Sequence, residues 1–197
     1  MKNKKFILLL IIYFFTTVNL YSIEPDIFVQ STVNRASKLL SDNISKEEKI
    51  EKLKSIAKDT VDIKGIGFYT LGPIRKSLND DQKSEYSKLF EEYFLKSFSS
   101  RLAEYTNPEI NVYNKEKLNE KYTIVNSTLV ATDERPEIKI DWRIYTKNPD
   151  KPLIRDLIIE GLSLARTQKE EFNSVLQSND NDINVLFETL KKFVNES

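Results

Sequence analysis

Two hydrophobic periods divide this chain. Between residues 79 and 105, Tyr86, Leu89, Phe90, Tyr93, Phe94, Phe98, Leu102 and Tyr105 recur at spacings of three and four, so they share one side of a helix. Glu85, Lys88, Glu91, Glu92, Lys96 and Arg101 fall mostly off that side. Asn79 and Gln82 have the spacing of a capping box, and Asp80 and Asp81 bring negative charge to the positive end of the helix dipole. Pro108 stops the run. Six of the eight stripe residues are aromatic. Such a stripe either fills a core or walls an apolar cavity.

Beyond residue 108 the period changes to two. Ile138, Ile140, Trp142 and Ile144 alternate with Lys139, Asp141, Arg143 and Tyr145, which predicts a strand with one dry and one wet face. Residues 121–131 read as another strand, and 109–113 as a weaker one. Residues 153–160 read as the last strand, with Leu157 and Ile159 opposite Asp156 and Glu160. One dry face implies an antiparallel sheet covered by helices on a single side.

Helical patterns precede and follow these strands. Ile27, Val33, Ala36 and Leu40 make one, and Ile50, Leu53, Ile56 and Ala57 another, opened by Ser45 and Glu48 at capping-box spacing. Residues 59–72 hold Gly65, Gly67 and Gly72 and read as two short helical turns that let the long helix approach closely. Gly161 breaks the last strand, and Ser163 can cap a following helix with Phe172 and Leu176 inward. Asp182 can cap a final helix carrying Leu186, Leu190 and Phe193. Helices, then locally paired strands, then helices predict an α+β fold.

Residues 1–22 stand outside that pattern. Lys2, Lys4 and Lys5 precede an unbroken apolar run from Phe6 to Phe15, followed by polar residues and Ser22, the layout of a cleaved signal peptide. Residues 23–197 are then expected to form a single domain. Without the three leader lysines, 27 basic side chains stand against 30 acidic ones. A net charge near −3 argues against a nucleic-acid partner. Export predicts a protein outside the cytoplasm, in the periplasm of a bacterium with two membranes.

The chain has no Cys and no His. Disulfides, thiolate and imidazole metal sites, and Ser–His–Asp or Cys–His nucleophiles are therefore excluded. Asp156 and Glu160, four apart on a strand face, would lie about 13 Å from each other, too far for a glycosidase pair; a solvated face or a buried salt bridge to Arg143 or Arg155 is expected instead. No metal, no cofactor and no catalytic residue is expected. Arg101 and Arg166 are candidates for meeting a phosphate, or for plain surface charge.

The segment from Asp156 to Leu164, DLIIEGLSL, resembles the MlaC family of periplasmic phospholipid-binding proteins, also described as toluene-tolerance auxiliary proteins. That family carries a strand of the form Y-D-[VM]-[IV]-x-E-G-[VI]-S running into a helix, matched here by Asp156, Glu160, Gly161, Ser163 and Phe172. Asp141-Trp142-Arg143, the stretch from Val61-Asp62 to Leu71-Gly72, and the segment 90–105 resemble further family elements in the same order. The chain departs from the pattern at Pro73-Ile74-Arg75, at Lys151-Pro152, and at residues 178–182.

The resemblance implies a curved antiparallel sheet of about four strands packed with several helices around a deep apolar cavity. It implies that Phe68, Leu71, Phe90, Tyr93, Phe94, Tyr105, Ile140, Trp142, Leu157, Ile159 and Gly161 surround bound acyl chains. It also implies a monomeric carrier of glycerophospholipid in the periplasm. Its partners would be an outer-membrane lipoprotein of the MlaA type and an inner-membrane ABC transporter complex with an MCE-domain subunit, a traffic that maintains outer-membrane lipid asymmetry. Two other classes remain open on the residues alone: an enzyme on an NTF2-like scaffold, and a structural periplasmic protein with a solid core.

Overall fold

The computed structural model describes residues 22–196. Residues 1–21, nearly all of the expected leader, and residue 197 lie outside the described residues. Helices α1 (Pro25–Ser41), α2 (Lys46–Thr60) and α3 (Ile63–Thr70) lead through a 3-10 turn, Gly72–Lys76, into α4 (Asp80–Leu102). Four strands follow: β1 (Ile110–Lys117), β2 (Tyr122–Leu129), β3 (Ile138–Tyr145) and β4 (Leu153–Ile159). A two-residue strand β5 (Leu162–Ser163) precedes α5 (Leu164–Gln177) and α6 (Ile183–Asn195).

The helix starts carry their caps. The Asn79 side chain accepts from the Gln82 amide at 2.8 Å, and Gln82 Oε1 accepts from the Asn79 amide at 3.0 Å. Both halves of the capping box that opens α4 are therefore made. Ser45 accepts from the Glu48 amide at 3.1 Å, and Asp182 from the Asn184 amide at 2.9 Å.

All five strands form one antiparallel sheet in sequence order. Val125 lies opposite Trp142, and Ile140 opposite Ile159, so cross-strand neighbours share the dry face. Val125, Ile140, Trp142, Ile144 and Ile154 belong to the same core as Val29, Phe90 and Leu186 of the helices. Helix α1 is pinned to the sheet edge by Lys115, whose ammonium reaches Asp26 at 2.8 Å and Glu24 at 2.5 Å. Leu39, Leu40 and Leu53 make a smaller cluster between α1 and α2.

Four details differ from the pattern reading. Helix α4 ends at Leu102, so Tyr105 leaves the stripe; it is 39% exposed, with the Arg135 guanidinium 5.6 Å from its ring. The sheet has a fifth strand where a direct strand-to-helix turn was expected. Glu160 and Gly161, at φ +49° and +83°, form a two-residue hairpin turn that pairs Ile159 with Leu162. Both residues are left-handed, as in a type I′ turn, and glycine is favoured there for its φ. A Cβ at Gly161 would meet nothing within 4 Å, so this glycine does not make room beside a cavity.

The fourth difference is a bulge in β4. Arg143 pairs with Asp156 but Ile144 pairs with Ile154, leaving Arg155 as an extra residue. Ile154 thereby turns to the dry face and is 5% exposed. Of the two settings open to Asp156, a solvated face or a buried salt bridge to Arg143 or Arg155, the structure has the second: Asp156 is buried at 4% where the start of α5 closes over it, with Arg143 3.8 Å away.

Candidate functional site: an apolar cavity beneath the long helix

The close packing of α3 on α4 begins with glycine. A Cβ on Gly67 would lie 2.7 Å from Phe90 Cδ1, so the two helices meet closer than any other residue allows. Thr70 and Tyr86 tie the same helices together. Thr70 Oγ1 donates to the Gly67 carbonyl at 2.7 Å, so its oxygen accepts from the Tyr86 hydroxyl at 2.8 Å. Burial pushes the Tyr86 phenol well above the ordinary tyrosine range.

Helix α5 is set by a buried carboxylate. Asp156 accepts from the Ala165 amide at 3.0 Å and from Ser163 Oγ at 2.6 Å, and Ser163 Oγ itself accepts from the Arg166 amide at 3.1 Å. Negative charge at a helix N-terminus is favourable. Arg143 lies 3.8 Å away and balances the charge. Asp156 and Ser163 therefore position a helix. Arg155 pairs instead with Asp62 at the start of α3.

Between α4, α5, β3 and β4 lies a cavity of about 280 Å³. Phe90, Tyr93, Phe94 and Phe98 of α4 form one wall. Trp142, Ile154 and Leu157 of the sheet form the facing wall. Phe94 and Phe98 stack with ring centres 5.4 Å apart, and Phe90 meets Phe172 edge-on at 6.3 Å. Trp142 does not leave its polar atom bare: Nε1 donates to Ser127 Oγ at 2.8 Å, which donates on to the Ile140 carbonyl at 3.0 Å.

The rim is polar. Ser97 and Arg101 of α4 face Thr167, Gln168 and Glu171 of α5. The Tyr93 hydroxyl donates to Gln168 Oε1 at 2.8 Å, and Gln168 Nε2 donates to Glu171 Oε2 at 2.9 Å. The Tyr93 phenol is pushed up by burial first and by the Glu171 carboxylate second, against an opposing pull from its bond to Gln168 and from Arg101.

Five of the residues that the resemblance implied come together here: Phe90, Tyr93, Phe94, Trp142 and Leu157. The other six lie outside this cavity. Leu71 and Ile140 are buried in the surrounding core, Phe68 packs half-buried against it, and Ile159 is half-buried. Tyr105 and Gly161 are exposed. Lining residues outside that set include Val61, Ile66, Phe98 and Ile154. Phe98 stood on the aromatic stripe. Ile154 reaches the cavity through the β4 bulge, for which the sequence carries no signal. Val61 comes beside it through an isolated parallel bridge to Ile154.

A model of the MlaC protein family matches residues 30–192. The chain belongs to the MlaC family. A solved structure with the same architecture is a phospholipid-binding protein from Ralstonia solanacearum, in complex with a phospholipid. It superposes with a TM-score of 0.73 at 17% identity, covering 87% of this chain and 97% of that one. At that identity the likeness shows a shared fold. A comparison with curated proteins gives no match. As in the MlaC reading of the sequence, an α+β sheet-and-helix layer is built around the long aromatic helix. Among the described residues no group of three or more acidic side chains is placed to hold a metal, and no helix is long and apolar enough to cross a membrane.

Proposed function

We propose that this chain is a phospholipid carrier and not an enzyme. The observation that carries this is the cavity itself: aromatic and aliphatic walls, a polar rim on one side, and a single buried carboxylate, Asp156, that is taken up in holding the start of α5. A lipid crossing water must keep its tails covered. At about 0.8 kcal/mol per buried methylene, a tail of roughly 16 carbons is worth on the order of 13 kcal/mol, which only an enclosed apolar space supplies.

Membership of the MlaC family and the phospholipid held by a protein of the same fold support this reading. The cavity of about 280 Å³ lies just below the roughly 300–1,000 Å³ usual for ligand pockets. It takes part of one tail as it stands. A whole lipid requires a larger space, and Phe94 and Phe98 are the half-buried aromatic residues of the α4 wall that would have to move.

The finer reading follows the family. Residues 1–22 direct export and are removed, and residues 23–197 work in the periplasm as a monomer. The cargo is glycerophospholipid, passed between an MlaA-type lipoprotein of the outer membrane and an MCE-domain ABC transporter complex of the inner membrane. The traffic maintains outer-membrane lipid asymmetry.

Native mass spectrometry of the chain as purified tests the core of this. One phospholipid per chain is expected, with a mature mass beginning near residue 23. A chain that carries no lipid and takes up none from vesicles would refute the carrier reading.

A further inference from the structure

The rim of the cavity has a charge arrangement that bears on which lipid enters. Among the described residues, three that line the cavity are exposed: Arg101, Leu164 and Glu171. They mark the mouth, with one cation on α4 and one anion on α5. The neighbouring charges are already engaged. Asp156 is consumed by the start of α5 and by Arg143. Arg166 pairs with Glu170 at 3.5 Å. Lys96, one turn before Arg101 along α4, donates to the Phe193 and Val194 carbonyls at 3.0 Å each and so closes the end of α6. Arg101 makes no ion pair among the described residues. Glu171 is oriented by the relay from Tyr93 through Gln168.

We propose that this mouth selects lipids with a zwitterionic phosphate–ammonium head group over lipids of net negative charge, with Arg101 taking the phosphate and Glu171 the ammonium. This rests on the carrier reading above and specifies its cargo. With tails in the cavity, the phosphate of any glycerophospholipid is held at the rim. Arg presents a planar fork that suits phosphate oxygens. A head group ending in an ammonium then answers the Glu171 carboxylate. A glycerol head group is uncharged beyond its phosphate and leaves the Glu171 carboxylate without a cationic partner. Specificity here is a difference between partners, set by whether Glu171 gains an ammonium. Both groups are solvent-exposed, so the discrimination is modest, about two- to fivefold, and weakens as salt screens it.

The test uses the full mature chain, stripped of lipid, with vesicles of equal phosphatidylethanolamine and phosphatidylglycerol bearing identical tails. Bound lipid is extracted and its head-group ratio measured per lipid bound, so that changes in total loading do not enter. The wild type should be enriched about two- to fivefold in the ethanolamine lipid. Glu171→Lys should reverse the preference. Phosphoethanolamine, the same head group without tails, should displace nothing. A bound ratio equal to that of the vesicles overturns the proposal, as does a Glu171→Lys variant with the wild-type ratio. Displacement by phosphoethanolamine would make this a site for a small zwitterion and overturn the lipid assignment. A wild-type chain that binds no lipid at all fails the carrier reading itself, which separates the two failures.

Discussion

The contact between Gly67 and Phe90 offers a measure of how tightly the cavity wall is built. In Gly67→Ala the new methyl would start 2.7 Å from Phe90 Cδ1. To regain the ~3.5 Å at which two carbons pack, the ring must withdraw by about 0.8 Å. It has little room. Phe90 is 2% exposed and stands among Tyr86, Tyr93, Phe94 and Phe172, with ring centres 5.8 to 6.3 Å away. The one soft direction is into the cavity that it lines.

Overpacking of this kind costs about 1–3 kcal/mol, and replacing glycine by alanine inside a helix returns about 1 kcal/mol. The expected net loss is about 1 kcal/mol, or ~2–4 °C in melting temperature for a domain of this size. Phe90→Leu alone should cost about 1–2 kcal/mol through lost packing. In that background the methyl has space, so Gly67→Ala should become neutral or stabilising. Urea or thermal unfolding of the four variants gives the cycle, with an expected coupling of about 1 kcal/mol or more. If Gly67→Ala costs the same with leucine at position 90, the ring is not what the methyl meets, and the close-approach account of α3 and α4 is wrong.

Three further outcomes are expected. Leu157→Arg, with its charge free to reach toward the polar rim, should leave a folded chain by circular dichroism that carries no lipid by mass spectrometry; undiminished lipid would put the binding space elsewhere. Gly161→Val should lose about 1–3 kcal/mol because φ is +83° there, whereas Gly161→Asn should lose little, and equal melting temperatures for both would remove the left-handed turn as the cause. The folded Tyr86 phenol is held above its unfolded value, so its stabilising share is intact below about pH 10 and declines as pH rises further, when the unfolded chain can ionise and the folded one resists. Tyr86→Phe should flatten that alkaline decline in unfolding free energy while costing about 1 kcal/mol at neutral pH for the lost hydrogen bond, and an unchanged alkaline slope would assign it to other tyrosines.

Much of this protein is written in local pattern. The capping box at Asn79 and Gln82, the aromatic stripe of α4, and the alternation of Ile140, Trp142 and Ile144 are each set by neighbours a few residues apart. Helix and strand periods are short-range properties, and so the α+β architecture and the dry face of β3 could be read directly. The ordered resemblance to the MlaC family added the cavity and five of its lining residues.

What only the tertiary structure decided depends on pairings far apart in sequence. The extra residue at Arg155 turns Ile154 inward, and no local rule says where a strand will bulge. Alternation leaves Asp156 either in water or in a buried pair with Arg143 or Arg155; the start of α5 closes over it, and Arg143 is the partner. Leu71, Ile140 and Ile159 have the right hydrophobicity and, for the two isoleucines, the right strand face, yet Leu71 and Ile140 lie in the core around the cavity and Ile159 is half-buried outside it. Apolar character tells which side chains leave water; whether they then meet another side chain or an empty space is fixed by how closely α3, α4 and α5 approach the sheet, and that is set by Gly67, by Asp156 and by the bulge together.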